Sequence, residues 1–162
     1  MQVWQPAYIG VGSNLSEPRV QVLTACTRLA DVPLTEVMLT SPLYASRAHG
    51  PVVQPDFVNA VVGVVTRLGP SALLAELVAI ETALGRPALR QRWGPRIIDL
   101  DLLVYGRERR ADAGLMLPHP GIVERNFVLY PLADIAPDLD VPGLGRVAEL
   151  AGNVASDGLR RL

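Results

Sequence analysis

Two aspartates in an apolar segment are the residues of this sequence best suited to chemistry. Asp99 and Asp101 alternate with aliphatic residues between positions 97 and 103. If the segment is a β-strand, its period of two places both carboxylates on one face, about 7 Å apart. Such carboxylates repel each other and lose hydration, so a fold that keeps both ionised needs a cation. Magnesium suits them because it prefers oxygen ligands and is commonly held by one or two carboxylates together with substrate phosphates.

Arginines precede this segment and add a second chemical signal. Arg86, Arg90, Arg92 and Arg96 are interleaved with glycine and proline, and the sequence contains no lysine. Any phosphate site must therefore use guanidinium groups, backbone amides and metal. Phosphoryl transfer needs positioning and charge neutralisation above all, which arginines beside a carboxylate pair can provide. The alternative is an acidic edge strand beside a solvated loop.

Composition narrows the class of protein. With 162 residues, 49% of them hydrophobic, the chain can build one core, and we expect a single domain over residues 1–162. A net charge of −1 does not provide the basic field that nucleic-acid binding requires. We find neither a secretory signal pattern nor an apolar run long enough to span a bilayer. Cys26 is the only cysteine, which excludes an intrachain disulfide. We therefore expect a cytoplasmic monomer that binds neither nucleic acid nor membrane.

The hydrophobic periods predict alternating strands and helices that would position these groups. Strands are predicted at residues 8–13, 34–43, 57–65, 96–105 and 115–117, and helical segments at residues 17–30, 70–84, 121–125 and 127–135. The strand at 57–65 is rich in β-branched residues and is expected to be central. This order predicts an α+β fold, a ferredoxin-like α/β sandwich with a largely antiparallel sheet flanked by helices.

The sequence also predicts where the helices begin and end and which faces of the elements are buried. Ser16 is predicted to cap the first helix, with Val20, Leu23 and Cys26 facing inward. The second helix is expected to stop at Gly85, and Pro131 is expected to interrupt the last one. In the aspartate strand, Ile98, Leu100, Leu102 and Val104 are predicted to share the face opposite the carboxylates.

The segment RWGPRIIDLDLL at residues 92–103 resembles the signature of the 6-hydroxymethyl-7,8-dihydropterin pyrophosphokinases, a family of folate-pathway enzymes. Further similar segments are YIGVGSNL at 8–15, QPDFVNA at 54–60, PHP at 118–120 and RNF at 125–127. The resemblance covers roughly residues 7–140 in order. It implies transfer of a diphosphoryl group from ATP to the hydroxymethyl oxygen of the reduced pterin, leaving AMP, with two Mg²⁺ ions held by Asp99 and Asp101.

The same resemblance assigns roles to further residues. It implies that the pterin ring lies between Phe57 and Phe127, that Asn59 hydrogen-bonds its edge, and that the 46–49 backbone contributes further contacts. On the nucleotide side, it implies that Arg86 and Arg96 engage the phosphates and assist transfer. The remaining matched positions are Ser46, Ala48 and His49 for the pterin and Glu81, Trp93, His119 and Arg125 for the nucleotide.

The sequence departs from familiar members of that family in its loops. Ala88 and Leu89 stand where those members carry basic residues, and Gly114 stands where arginine is frequent; Arg90 could substitute. Residues 47–49 replace a proline-rich stretch.

Two alternative functions follow from the sequence. One is a catalytically weak pterin- or partner-binding module that retains the fold. The other is a metal-dependent nucleotidyltransferase, suggested by Gly12 and Ser13 together with the aspartate pair, although several elements separate these motifs.

Overall fold

The computed structural model describes residues 3–48, 50–86 and 95–162. The strands are β1 (Gln5–Ser13), β2 (Thr35–Thr40), β3 (Tyr44–Ser46), β4 (Phe57–Thr66), β5 (Asp99–Tyr105), β6 (Arg110–Asp112), β7 (Leu115–Leu117), β8 (Asp140–Val141), β9 (Gly145–Arg146) and β10 (Leu159–Arg161). The helices are α1 (Pro18–Leu29), α2 (Pro70–Ala83), α3 (Asn126–Ile135) and α4 (Val147–Gly152), with a 3₁₀ turn at Ile122–Glu124.

The main sheet is antiparallel and has the order β10-β3-β4-β1-β5, with β2 also paired to β4. Strand β4 is central, as its β-branched sequence predicts, because β1 lies along one side and β2 and β3 share the other. The path β1-α1-β2-β4-α2-β5 confirms the predicted ferredoxin-like sandwich. The hairpins β6-β7 and β8-β9 lie outside this sheet.

Helices cover the sheet on both faces and enclose two apolar clusters. One cluster joins α1 and α2 to inward residues such as Ile9, Val62 and Leu100. The other joins α3 and α4 to the opposite face, where Val61 and Leu103 lie. Alternate residues of the central strands are therefore buried on opposite sides. No helix in the described ranges is long and apolar enough to cross a membrane.

Helix α1 presents a different stripe to the core from the one predicted. Its buried residues are Val22, Ala25 and Leu29, whereas Val20 and Leu23 are about half exposed, at 51% and 50%. Both stripes have helical spacing, so the period alone does not choose between them. The predicted Ser16 cap is also wrong: no side chain caps the helix, and both Ser16 and Glu17 have positive φ angles. Cys26 packs against the core as a partly buried residue, as expected.

Two predicted elements differ in their extent or continuity. The strand predicted at 34–43 is shorter and ends at Thr40 of β2. Ser41 then makes two hydrogen bonds with the Val61 backbone, and β3 begins at Tyr44, beyond the predicted strand. Helix α3 continues through Pro131, which is buried inside it, so the predicted interruption is wrong. The second helix ends as predicted, with Gly85 in the left-handed region at φ 101°.

A register shift in β5 changes the face of one predicted residue. Tyr8 pairs with Val104 and Ile9 pairs with Leu102, so Leu103 is an extra residue in the ladder. Beyond this bulge, Val104 joins the cluster under α3 instead of sharing the face of Leu100 and Leu102. The two aspartates precede the bulge and keep the strict alternation.

We predict that Cys26 reacts slowly with thiol reagents in the folded protein. Burial raises the pKa of its thiol to about 11, so the thiolate is about a thousandth of the population at pH 8. Ellman's reagent should therefore modify folded protein about 100-fold more slowly than urea-unfolded protein. The rate should rise with pH beyond 9, and equal rates in the two states at pH 8 would contradict this assignment.

Candidate functional site

The floor of the candidate site is formed by three neighbouring strands. In the sheet register, Gly12 of β1 lies between Asn59 and Asp99, and Gly10 lies opposite Asp101. Paired residues of an antiparallel sheet project from the same face. The two glycines add no side chains there, and a Cβ on Gly12 would lie 3.1 Å from Asn59 Oδ1. The floor is open because of this, and a cavity of about 370 Å³ lies above it.

Strands β3 and β4 and helix α3 provide the apolar and amide wall of this cavity. Phe57 of β4 is paired with Ser46 of β3, and Phe127 lies in the first turn of α3. All three residues line the cavity. Asn59 is buried, and its Nδ2 donates a hydrogen bond of 2.7 Å to Ser46 Oγ. The Arg125 guanidinium lies 5.8 Å from the centre of the Phe127 ring. This wall combines two aromatic rings with a fixed amide.

Asp99 is held by two arginines. Arg86 Nη1 lies 3.0 Å from Asp99 Oδ1, and Arg96 Nη1 lies 2.8 Å from Asp99 Oδ2. The buried Nε of Arg96 has no hydrogen-bond partner among the described residues. Each carboxylate oxygen thus faces a guanidinium, which offsets its desolvation. These arginines can be shared with another anion that enters the cavity.

Asp101 is in a less compensated environment. Burial, and secondarily the charge of Asp99, raise the pKa of Asp101, while His119 and Arg125 oppose this change. His119 Nε2 lies 3.9 Å from Asp101 Oδ1. Its other nitrogen, Nδ1, accepts a hydrogen bond of 3.0 Å from the Gly121 amide, so a neutral ring carries its proton on Nε2. Burial lowers the pKa of His119 despite the nearby carboxylate. Asp101 therefore gains from any additional cation in the cavity.

Glu81 supports the site from helix α2. Its carboxylate accepts a hydrogen bond of 2.8 Å from the buried Leu100 amide and forms an ion pair with Arg86. Burial raises the pKa of Glu81. The side chain is not among those that line the cavity, so its contacts hold Arg86 and the first residues of β5 in place. A nucleotide-binding role for Glu81 stays a prediction.

The structure brings most of the predicted residues together. The cavity is lined by Ser46, Phe57, Asn59, Arg96, Asp99, Asp101, Arg125 and Phe127, and Arg86 and His119 contact its aspartates. Ala48 is not among the lining residues. His49, Trp93, Ala88, Leu89 and Arg90 lie outside the described residues. Gly114 is exposed in the turn between β6 and β7. The roles of all these residues remain predictions.

Asn14 was not singled out from the sequence but organises one end of the site. Its backbone amide donates to Arg96 O at 3.0 Å, and its Oδ1 accepts from the Arg96 amide at 2.7 Å. Its Nδ2 donates to Gln54 Oε1 at 2.9 Å and to Pro55 O at 3.0 Å. Asn14 thus joins the segment before β5 to the loop before β4. An amide immediately after a buried strand is the signal that could have identified it.

Sequence comparisons identify closely related proteins. The family model described as 7,8-dihydro-6-hydroxymethylpterin-pyrophosphokinase (HPPK) matches residues 8–137. The chain is 44% identical to a 2-amino-4-hydroxy-6-hydroxymethyldihydropteridine pyrophosphokinase of Pseudomonas aeruginosa, over 98% of this chain and 97% of that protein. It is 42% identical to the protein of the same name from Haemophilus influenzae, over 96% of this chain and 97% of that protein.

Solved structures share the fold at low sequence identity. The Plasmodium falciparum HPPK-DHPS wild type crystallised with pterin and p-hydroxybenzoate has a TM-score of 0.74 and is 15% identical. The match covers 99% of this chain and 47% of that chain, so this protein spans about half the length of that structure. A variant of the same Plasmodium protein, A437G with STZ-DHP, has a TM-score of 0.73, and the match covers 45% of its chain. These matches support the fold assignment.

We predict that Glu81 contributes to stability chiefly as a hydrogen-bond acceptor. Glu81→Ala should lower the free energy of unfolding by about 2–3 kcal/mol because it leaves the buried Leu100 amide unpaired. Glu81→Gln retains an acceptor oxygen and should cost about 1 kcal/mol at pH 7. Urea unfolding of both variants measures this difference, and equal losses would contradict the assignment.

The pH dependence gives a second check on Glu81. Burial raises its carboxyl pKa in the folded state. Its titration therefore contributes stability below the unfolded pKa, and this contribution is lost as pH rises through the folded pKa. Because glutamine does not titrate, the stability gap between wild type and Glu81→Gln should narrow as pH rises from 4 to 7.

Proposed function

This chain belongs to the 6-hydroxymethyl-7,8-dihydropterin pyrophosphokinase family, and we propose how its cavity performs the reaction of that family. The enzyme transfers diphosphate from ATP to 6-hydroxymethyl-7,8-dihydropterin in folate biosynthesis. We propose that pterin and triphosphate occupy opposite sides of the same cavity. The observation that carries this proposal is the short span of sheet, across Gly12, that separates Asn59 from Asp99.

The amide side of the cavity suits the pterin. Its ring is flat and carries donors and acceptors on its edge, so it gains from aromatic faces and from a fixed amide group. Phe57 and Phe127 would contact the ring, and Asn59 would hydrogen-bond its edge. The hydrogen bond to Ser46 holds the Asn59 amide before substrate enters. Such preorganisation reduces the entropy that binding must overcome.

The carboxylate side suits magnesium. Asp99 and Asp101 provide hard oxygen ligands on one face of β5. Burial raises the pKa of Asp101, so a bound cation would favour its ionised form. We propose that these two residues hold Mg²⁺, with two ions as the family resemblance implies. When bound, magnesium would neutralise and polarise the phosphates. Water and phosphate oxygens would complete its coordination.

The arginines would orient the triphosphate for in-line displacement. Arg86 and Arg96 already lie within 3.0 Å of Asp99, so a bound phosphate can share their guanidinium groups. The pterin hydroxymethyl oxygen would attack the β-phosphorus and lose its proton to solvent. The bond from this phosphorus to the α,β-bridging oxygen would break, and AMP would leave with that oxygen. Arg125 and His119 would contribute further nucleotide contacts.

The monomeric state and the cytoplasmic location expected from the sequence stay predictions.

The products distinguish this reaction from other phosphoryl chemistry. Incubation with ATP, Mg²⁺ and 6-hydroxymethyl-7,8-dihydropterin should form AMP and pterin diphosphate in equal amounts. Formation of ADP would instead indicate transfer of a single phosphoryl group. Release of inorganic diphosphate would indicate nucleotidyl transfer, and tight pterin binding without turnover would indicate a binding module.

We predict that Asp101 is required for turnover. Asp101→Asn preserves the size of the side chain but removes the charge, and kcat should fall at least about 100-fold, as when one charge-stabilising group is removed from an active site. Asp112→Asn is the matched control because its carboxylate lies in β6, outside the main sheet. AMP release measures both variants. Full activity of Asp101→Asn would overturn the metal assignment.

We predict that Gly12→Ala selectively weakens pterin binding. The new methyl group would lie 3.1 Å from Asn59 Oδ1 and would displace this amide. The KM for pterin should rise about tenfold, whereas the KM for ATP should change less than about twofold. Gly152→Ala is the control because a Cβ there meets nothing within 4 Å. An unchanged pterin KM for Gly12→Ala would contradict the role of Asn59.

A further inference from the structure

The segment at residues 153–162 contributes the edge strand of the main sheet, beside the proposed pterin wall. Its strand β10 pairs with β3, with Leu159 opposite Ser46 and Arg161 opposite Tyr44. The Leu162 amide continues this connection by donating a 2.9 Å hydrogen bond to Leu43 O. The 153–162 segment therefore holds the strand that carries Ser46.

The same segment is also bound to helix α3. Asn126 Nδ2 donates to Ala155 O at 2.9 Å and to Asp157 O at 3.0 Å. One turn later, Tyr130 OH donates to Val154 O at 2.8 Å. Asn126 immediately precedes Phe127, so its two hydrogen bonds restrain the backbone from which this ring projects. A single segment thus connects the Phe127 and Ser46 sides of the cavity.

Gly158 brings the 153–162 segment close to a third residue of the cavity. Its carbonyl accepts a 3.2 Å hydrogen bond from the Arg47 amide. A Cβ at Gly158 would lie 2.7 Å from Arg47 Nε, and its φ angle of 72° is one that other residues rarely adopt. Arg47 lines the cavity. The glycine therefore leaves room for the Arg47 side chain beside the segment.

We propose that Asn126 is a positioning residue for pterin binding, acting through the 153–162 segment on the separation of Phe127 from β3, whose Ser46 is paired with Phe57. This inference rests on the proposed pterin site. A ring that binds between two walls gains full contact only when their spacing matches its thickness. If one wall is free to move, pterin binding must also order it, and this entropy lowers the affinity.

Asn126→Asp and Asn126→Ala test this role together. Asparagine donates two hydrogen bonds to carbonyl oxygens, which neither ionised aspartate nor alanine can do. Aspartate in the first turn of a helix is otherwise stabilising because it interacts favourably with the helix dipole. If Asn126 served only α3, Asn126→Asp would be at least as stable as wild type and would bind pterin normally. Positioning through the segment predicts weaker pterin binding in both variants.

Isothermal titration should measure pterin binding to full-length protein with Mg²⁺ and a non-hydrolysable ATP analogue present. We expect the Kd for pterin to rise about tenfold in both Asn126 variants, with the Kd of the ATP analogue within about twofold of wild type. Tyr130→Phe is the matched control: it loses one hydrogen bond to the same segment but lies farther from Phe127 in the chain. Its pterin Kd should rise less than about threefold.

Phe127→Ala separates this inference from the proposed function. If Phe127→Ala leaves pterin affinity unchanged, the proposed pterin site is wrong. If Phe127→Ala weakens binding but both Asn126 variants bind like wild type, only the positioning role is overturned. Equal loss in Tyr130→Phe and the Asn126 variants at equal melting temperature would also overturn it, because a general loosening of the segment would then explain the result.

Discussion

The electrostatic cost of placing Asp99 and Asp101 beside each other is the constraint on which the site depends. Burial and mutual repulsion both raise the free energy of their ionised forms. The chain offsets this cost unequally. Asp99 faces Arg86 and Arg96, whereas Asp101 has a more distant histidine and retains a raised pKa. This asymmetry supports our proposal that a cation binds at one end of the pair, next to arginines that can contact the phosphates of a metal-bound nucleotide.

The antiparallel register brings the other groups of the proposed site close to the two aspartates. Gly12 lies between Asn59 and Asp99, so groups from three distant parts of the sequence meet across adjacent strands. Gly10 and Gly12 carry no side chains beyond hydrogen, which gives the cavity depth at that point. The bulge at Leu103 follows the aspartates, and beyond it Val104 packs under α3. Carboxylates and core residues can therefore occupy the same face of β5, because the cavity lies above its first part and the helix-covered core lies beyond it.

The sequence predicted those features that local patterns determine. The β-branched content of β4 indicated a central strand, and alternation placed Asp99 and Asp101 together. It could not choose between two helical stripes of α1, because tertiary packing selects the buried face. Nor could it predict that Glu81 would accept from the Leu100 amide, since this contact depends on how α2 packs against β5. The complete candidate site could be predicted only through the family resemblance, because its residues are dispersed over much of the chain. The periodicity of one element gives no distance to residues of another element.

The two sides of the cavity rest on different supports, and this division has consequences for function. On the proposed nucleotide side, Glu81 of α2 holds Arg86 from the face that packs against the first core cluster. On the proposed pterin side, α3 carries Phe127, and Asn126 joins this helix to the 153–162 segment. Perturbations at sites without shared partners are usually additive. Changes in one support should therefore alter affinity for one substrate with little effect on the other.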